Sequence, residues 1–273
     1  MLSFPNCKIN LGLHILGKRA DGYHNLETVF YPVALKDALE LIPATNSTTG
    51  IQFTATGLAV DGNTADNLCV KAYHLLQKDF PQLPAVQVHL HKSIPMGAGL
   101  GGGSADASCM LQLLNERFHL NLSADQLIQY ALRLGSDCPF FIINKPCFAT
   151  GRGEVLEEIR LDLTAYKIVL INPGIHVNTG RAFSNITPAL PLKSIREIIQ
   201  QPADTWKAEL ANDFEKPVFA AYPEVKTIKD SLYEQGAVYA SMSGSGSTVF
   251  GIFHRKASPV LPENSNYFIK IIN

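Results

Sequence analysis

The residues best suited to chemistry form the run Pro95, Met96, Gly97, Ala98, Gly99, Leu100, Gly101, Gly102, Gly103, Ser104 and Ala105, which leads into a helical pattern. Dense glycine lets a backbone take positive φ and bring its N–H groups close to an oxyanion. A helix start adds unpaired donors and a partial positive charge, so the two together make a phosphate cradle. A Walker-type loop needs lysine where Gly103 stands, and that reading fails. Gly97, Gly99 and Gly102 fit the spacing of a dinucleotide-binding turn. The acidic residue such a fold wants about 20 positions later is missing, because Asn121 to Asp125 reads as a helix entrance. A second glycine- and serine-rich loop, Ser241 to Ser247, lies between apolar segments. Two such loops suggest one triphosphate gripped from two sides.

Three other polar residues belong with these loops. Asp137 lies in Gly135-Ser-Asp-Cys-Pro-Phe140, past a helix end and before an apolar run. Lys8 and Asn10 share the polar side of an alternating strand. Phosphoryl transfer needs a group that orients the acceptor hydroxyl and takes its proton, and a cation that offsets the transferring charge. Asp137 suits the first task and Lys8 the second. Taken singly, an aspartate there suits a turn or cap, and Lys8 with Asn10 suits a solvated face. His89 and His91 share a strand face without a third ligand at metal-site spacing, so a wet face is the reading. Cys109 and Cys138 read as small apolar fillers.

Hydrophobic periodicity supplies the elements that hold these groups. Ile9, Leu11, Leu13 and Ile15 alternate with Lys8, Asn10, Gly12 and His14, the mark of a strand. Gly17 to Gly22 then reads as a turn, with Asp21-Gly22 as a hairpin signal. Strands follow at Val29 to Tyr31, Leu39 to Leu41, Ile51 to Thr56 and around Val86, Val88 and Leu90. A helix is expected over about 66–78, capped by Asp66 or Asn67, and another bears Ala107, Met110, Leu111, Leu114 and Phe118. Ser123 with Gln126 opens a third, and Gly135 stands in the C′ position at its end. Further strands are expected at Lys167 to Asn172, Ala237 to Met242 and Thr248 to Phe253. Strands and helices mix irregularly, so the class is α+β with a soft boundary near 150–155.

Composition narrows the class of protein. The chain has 273 residues, 46% hydrophobic and 17% charged, with a formal net charge of −1. That balance allows a sizeable core and disfavours disorder, nucleic-acid binding and anionic-membrane binding. Five cysteines without a C-x-x-C pair suit a reducing compartment. The start has no signal-like apolar core, and no run reaches the roughly 18 apolar residues of a membrane span. A cytoplasmic protein is expected, in which Asn46-Ser47-Thr48 is no glycosylation site.

The motifs also carry a resemblance. Residues 95–106 resemble the central phosphate-binding signature of the GHMP kinase superfamily, which includes galactokinase, homoserine kinase and mevalonate kinase, and Ser241 to Thr248 resembles its C-terminal glycine motif. Lys8-Ile-Asn10, Asp21-Gly-Tyr-His24, Gly135 to Phe140 and Gly151-Arg-Gly153 are similar to the branch that acts on a methylerythritol linked to cytidine diphosphate. The matches run from residue 8 to 248.

The resemblance implies a two-domain fold, with an N-terminal α/β domain of a ribosomal-protein-like type over 1–152 and a ferredoxin-like C-terminal domain over 153–273. It implies ATP with Mg²⁺ as phosphoryl donor and the 2-hydroxyl of the methylerythritol part as acceptor, in the non-mevalonate isoprenoid pathway. Lys8 and Asp137 occupy the family's catalytic positions, and residues 95–105 its ATP loop. Asn67 and Lys92 stand near the adenosine, while Asn10 holds substrate near the reacting hydroxyl. Tyr23 and His24 occupy the cytosine-recognition positions, with Phe183 as the opposite wall. The partner is then a small molecule carrying cytidine diphosphate, with no nucleic acid or membrane, and the protein a monomer or weak homodimer. Two alternatives stay open: a kinase for a mevalonate- or homoserine-like alcohol, and a nucleotide-binding module without catalysis. Tyr23 and His24 would have no purpose in the first, nor Lys8 and Asp137 in the second.

Overall fold

A computed structural model describes residues 1–44, 50–60, 62–262 and 264–273, so the Asn46-Ser47-Thr48 tripeptide lies outside the described residues. In chain order the strands are β1 (Leu2–Ser3), β2 (Asn6–Lys18), β3 (His24–Lys36), β4 (Ala38–Pro43), β5 (Ile51–Gly57), β6 (Val86–Lys92), β7 (Cys147–Thr150), β8 (Val155–Glu158), β9 (Tyr166–Asn172), β10 (Tyr239–Met242), β11 (Val249–His254) and β12 (Phe268–Ile272). The helices are α1 (Leu68–Asp79), α2 (Gly102–Arg117), α3 (Ala124–Leu134), α4 (Cys138–Ile143), α5 (Thr179–Ser184), α6 (Ile195–Ile198), α7 (Trp206–Glu209), α8 (Glu215–Ala221) and α9 (Pro223–Glu234). The class is α+β, as the mixed patterning predicts.

The elements pack into two compact units. The first comprises Met1–Cys7, Ala34–Met96 and Gly101–Lys145. Its sheet has the order β1-β4-β6-β5. β5 runs parallel to β6 and β4 antiparallel to it. A parallel pair needs a crossover, which α1 supplies. Alternation along β6 turns Val86, Val88 and Leu90 into one buried cluster with Tyr73 and Leu76 of α1 and Met110, Leu111 and Leu114 of α2. Each such side chain contributes about 1.5–3 kcal/mol on burial.

Local chemistry sets where these helices begin and end. Asn67 caps α1 by accepting from the Cys69 N–H at 2.9 Å, while Asp66 belongs to a single 3₁₀ turn before it. Ser123 and Gln126 make both bonds of the expected capping box. Gly135 ends α3 with φ at 170°, so the left-handed cap suggested by its C′ position does not form. The chain instead passes in extended form toward α4.

The second unit comprises Lys8–Val33, Gly97–Leu100 and Pro146–Asn273. One sheet has the order β2-β3-β7-β8, the other β10-β11-β9-β12. In the latter, β9 lies between β11 and β12, and every neighbouring pair is antiparallel. That is the strand order of a ferredoxin-like βαββαβ unit, although no helix joins β11 to β12 among the described residues. Val169, Ile171, Val225, Ile228, Leu232, Met242, Val249 and Phe253 form its core. β2 continues through Gly17 to Lys18, so the hairpin turn is narrower than Gly17 to Gly22 and is confined to 19–23.

Packing groups the chain differently from the sequence halves 1–152 and 153–273. Residues 8–33 join the C-terminal part, where the Leu13 N–H donates to the Ala211 carbonyl at 2.9 Å and the Asp213 N–H to the Leu13 carbonyl at 2.9 Å. The polar face of β2 is not solvated either. Lys8 is 3% exposed and Asn10 2%.

Candidate active site

The second unit holds Lys8 and Asn10 in a chain of polar contacts. Lys8 Nζ donates to Asn10 Oδ1 at 2.5 Å and lies 5.0 Å from the centre of the Phe30 ring. Asn10 Nδ2 donates to Thr28 Oγ1 at 3.0 Å, and Thr28 Oγ1 donates to the Gly12 carbonyl at 2.5 Å. The Asn10 N–H reaches Ser243 Oγ at 3.3 Å. Both the oxygen and the nitrogen of the Asn10 amide are thus engaged. A buried ammonium requires such acceptors, because desolvation without them is prohibitive. The strand pattern alone, which leaves this face open to water, misses that demand.

The two glycine-rich loops touch directly. Ser243 Oγ donates to the Gly99 carbonyl at 2.7 Å, and the Thr248 N–H to the Ala98 carbonyl at 3.3 Å. A Cβ on Gly99, whose φ is +77°, would stand 2.0 Å from the Ser243 carbonyl oxygen. At residues 98–99, therefore, backbone meets backbone, and the second loop braces the first. Asn212, which the sequence did not single out, fixes the second loop. Its Nδ2 donates to the carbonyls of Met242 at 2.7 Å and Gly244 at 2.9 Å.

In the first unit the loop ends as the start of α2. Gly101 takes a left-handed conformation at the N-cap, and no side chain caps the helix. The first intrahelical bond found there runs from the Ala105 N–H to the Gly101 carbonyl at 2.9 Å. The preceding N–H groups of Gly102, Gly103 and Ser104 are the orphan donors of a helix start, pointed where an anion is favoured.

Beside this start lies a cavity of about 220 Å³ whose lining includes Asn67, Leu68, Lys92, Met96, Gly103 and Asp106. Lys92 is 1% exposed. Its Nζ donates to Asp37 Oδ2 and, at 2.7 Å, to Asp106 Oδ2. The other Asp37 oxygen accepts the N–H groups of Ser93 and Ile94. Asp106 Oδ1 is buried and has no hydrogen-bond partner among the described residues. Burial pushes the Asp106 carboxyl up to about 7; the Lys92 cation opposes that rise and the Asp37 charge adds to it. One cation thus serves two buried carboxylates. The ammonium at 92 is committed to the protein. The signal for it was legible, since Lys92 shares the parity of Val86, Val88 and Leu90. Gly102 completes the fit, because a Cβ there would stand 2.8 Å from Ile94 and 3.0 Å from Lys92 Nζ.

Asp137 occupies the N-cap position of α4 but makes no side-chain cap bond, so its carboxylate is not spent as a helix cap. Burial pushes the Cys109 and Cys138 thiols up to about 11. His89 bonds Thr54 and Thr56, and His91 bonds Thr56, as side chains on a wet strand face. Among the described residues, no group of three or more His, Cys, Asp or Glu could hold a metal ion.

Tyr23 and His24 lie at the β2–β3 turn. Tyr23 is 56% exposed, and the Arg152 guanidinium lies 4.8 Å from its ring centre. His24 and Phe183 stack directly, with centroids 4.9 Å apart and planes at 15°. Phe214 supports Phe183 edge-on at 4.8 Å. Phe183 is thus stacked on His24 as the rings stand.

Comparison with known proteins sets this geometry in context. The family model for the GHMP kinases N terminal domain matches residues 67–145, and that for the GHMP kinases C terminal matches 190–270. A 4-diphosphocytidyl-2-C-methyl-D-erythritol kinase of Bacteroides thetaiotaomicron is 55% identical over 263 residues, covering 96% of this chain and 95% of that one. Its counterpart in Bacteroides fragilis is 54% identical, covering 93% and 92%. A crystal structure of a 4-(cytidine 5'-diphospho)-2C-methyl-D-erythritol kinase superposes with a TM-score of 0.76 at 32% identity, covering 92% of this chain and 90% of that one.

Proposed function

The chain belongs to the 4-diphosphocytidyl-2-C-methyl-D-erythritol kinases of the GHMP family, and from that membership we propose how its own residues carry the reaction. It is an ATP-dependent kinase that phosphorylates the 2-hydroxyl of 4-diphosphocytidyl-2-C-methyl-D-erythritol in the isoprenoid-precursor pathway. The likeness to homoserine and mevalonate kinases, at 12–13% identity, extends to the fold alone.

The observation that carries the assignment of roles is the uncapped start of α2. ATP enters as its Mg²⁺ complex, with phosphate oxygens accepting from the Gly102, Gly103 and Ser104 N–H groups. Pro95 to Leu100 shape the approach, Ala105 continues the helix, and Asn67, Lys92 and Met96 line the adenosine cavity. A Mg²⁺ ion carried in with the nucleotide would neutralise charge on its phosphate oxygens.

Asp137 orients the 2-hydroxyl and accepts its proton as the oxygen bonds to the γ-phosphorus. The bond from that phosphorus to the bridging oxygen breaks, and ADP leaves. Lys8, held in place by Asn10, offsets negative charge on the transferring group, and Asn10 holds the substrate near the reacting hydroxyl. Tyr23 covers the cytosine, His24 bonds its polar edge and Phe183 backs His24. Division into sequence domains 1–152 and 153–273, a cytoplasmic location and a monomeric or weakly dimeric state belong to the same proposal. None of the helices among the described residues is long and apolar enough to cross a membrane.

The test is ADP release with the cytidine-linked alcohol beside the free alcohol, in the parent and in Tyr23→Ala. A preference for the linked substrate that collapses in Tyr23→Ala supports these roles; equal use of both alcohols by the parent overturns them.

A further inference from the structure

The turn Gly151-Arg-Gly153 has no part in the roles above, yet it is built with care. Gly151 and Gly153 have φ of +70° and +104°, in the left-handed region that favours glycine. A Cβ on Gly151 would stand 2.7 Å from Glu154 Oε2. Glu154 instead folds back, accepting from the Arg152 N–H and, through Oε1, from Arg152 Nε at 3.2 Å. The Leu26 N–H donates to the Gly151 carbonyl at 2.8 Å, which ties the turn to β3 just beyond His24.

The consequence is a fixed guanidinium. Its side chain is only 32% exposed, and it lies over the Tyr23 ring. The Tyr23 backbone is held as well. Its N–H donates to Asp21 Oδ1 at 3.1 Å, its carbonyl accepts the Arg19 N–H at 2.8 Å, and Arg19 Nε grips Asp21. A tyrosine on a hairpin tip would otherwise lose side-chain freedom when a ligand settled on it.

We propose that Arg152 is a positioning residue for the nucleobase end of the substrate: its guanidinium backs one face of Tyr23 and presents the other, already oriented, to a pyrimidine. Cation, ring and base form a three-layer stack, the cation being attracted to the ring's electron-rich face. This rests on the reading of Tyr23 as the cover of the base. Arg152 touches Tyr23 rather than the reacting atoms, so its effect falls on substrate binding and not on the chemical step.

The test is calorimetric titration of the full-length protein with cytidine diphosphate, together with steady-state kinetics, for Arg152→Met, Tyr23→Ala and the double variant. Arg152→Met should weaken cytidine diphosphate about three- to fivefold, the scale of an exposed cation–π contact. The KM for the cytidine-linked substrate should rise by the same factor, with the KM for ATP unmoved. In the Tyr23→Ala background the Arg152 substitution should add nothing. Unchanged binding in Arg152→Met while Tyr23→Ala weakens it overturns the proposal and leaves the base reading standing. So does a loss of equal size on top of Tyr23→Ala. If Tyr23→Ala leaves binding unchanged, the base reading fails and the proposal falls with it. Should Arg152→Met melt early, Arg152→Gln keeps a polar planar end without the charge, and the same loss and non-additivity are required of it.

Discussion

Replacing Asp106 by asparagine should abolish a pH dependence that the buried Lys92 cluster imposes on stability. Asp106 has a carboxyl pushed up to about 7, from 3.8, mainly by burial and further by the Asp37 charge, against the pull of Lys92. Between those two values the folded protein holds a proton that the unfolded chain has released. Stability therefore falls as pH rises, by about 1.4 kcal/mol per pH unit. From pH 5 to pH 7 the wild type should lose about 2 kcal/mol from this group, and above pH 7 the loss levels off.

Asp106→Asn has nearly the same shape, still offers an oxygen to Lys92 Nζ, and cannot ionise. Near pH 5 it should match the wild type, and by pH 8 exceed it by about 2–3 kcal/mol. Urea denaturation of both proteins at pH 5, 6, 7 and 8 measures this. The difference between them matters, because every other titrating group is common to the pair. A ¹³C titration of the Asp106 carboxyl should show a midpoint near 7. A stability difference that is flat with pH, or a midpoint below 4, would refute the account of one cation shared by two buried carboxylates.

Asp137→Asn and Lys8→Met should each lower kcat by at least about 100-fold, the scale of lost general-base or charge stabilisation, while ATP still binds by titration. Near-normal turnover in either removes that residue from the mechanism. Gly99→Ala should destabilise by about 3 kcal/mol or more, since its Cβ would overlap the Ser243 carbonyl oxygen at a φ of +77°; a wild-type melting temperature would show that the loops need not touch. Cys109 and Cys138, buried with thiols near 11, should resist iodoacetamide at pH 8 with full retention of activity. Rapid inactivation traced to either by mass spectrometry would contradict their protonated, enclosed state.

The sequence disclosed elements and motifs well because their causes are local. Two-residue alternation announced β6, and the reciprocal bonds of Ser123 and Gln126 lie three residues apart. The uncapped start of α2 follows from a glycine run that offers no capping side chain. Failures came wherever a partner is distant in sequence. Asp37 lies 55 positions from Lys92, and no local pattern announces such a pairing. The face of β2 carrying Lys8 and Asn10 looked wet because alternation describes one strand, whereas its polar contacts come from Thr28 and Ser243. Even so, a buried lysine is a strong constraint. Once the parity of Lys92 with Val86, Val88 and Leu90 is noticed, desolvation demands acidic partners, and Asp106, in the same glycine-rich signature, becomes a leading candidate. The pH experiment on Asp106 therefore also tests whether strand parity plus the energetics of a buried charge fixes the partners of Lys92.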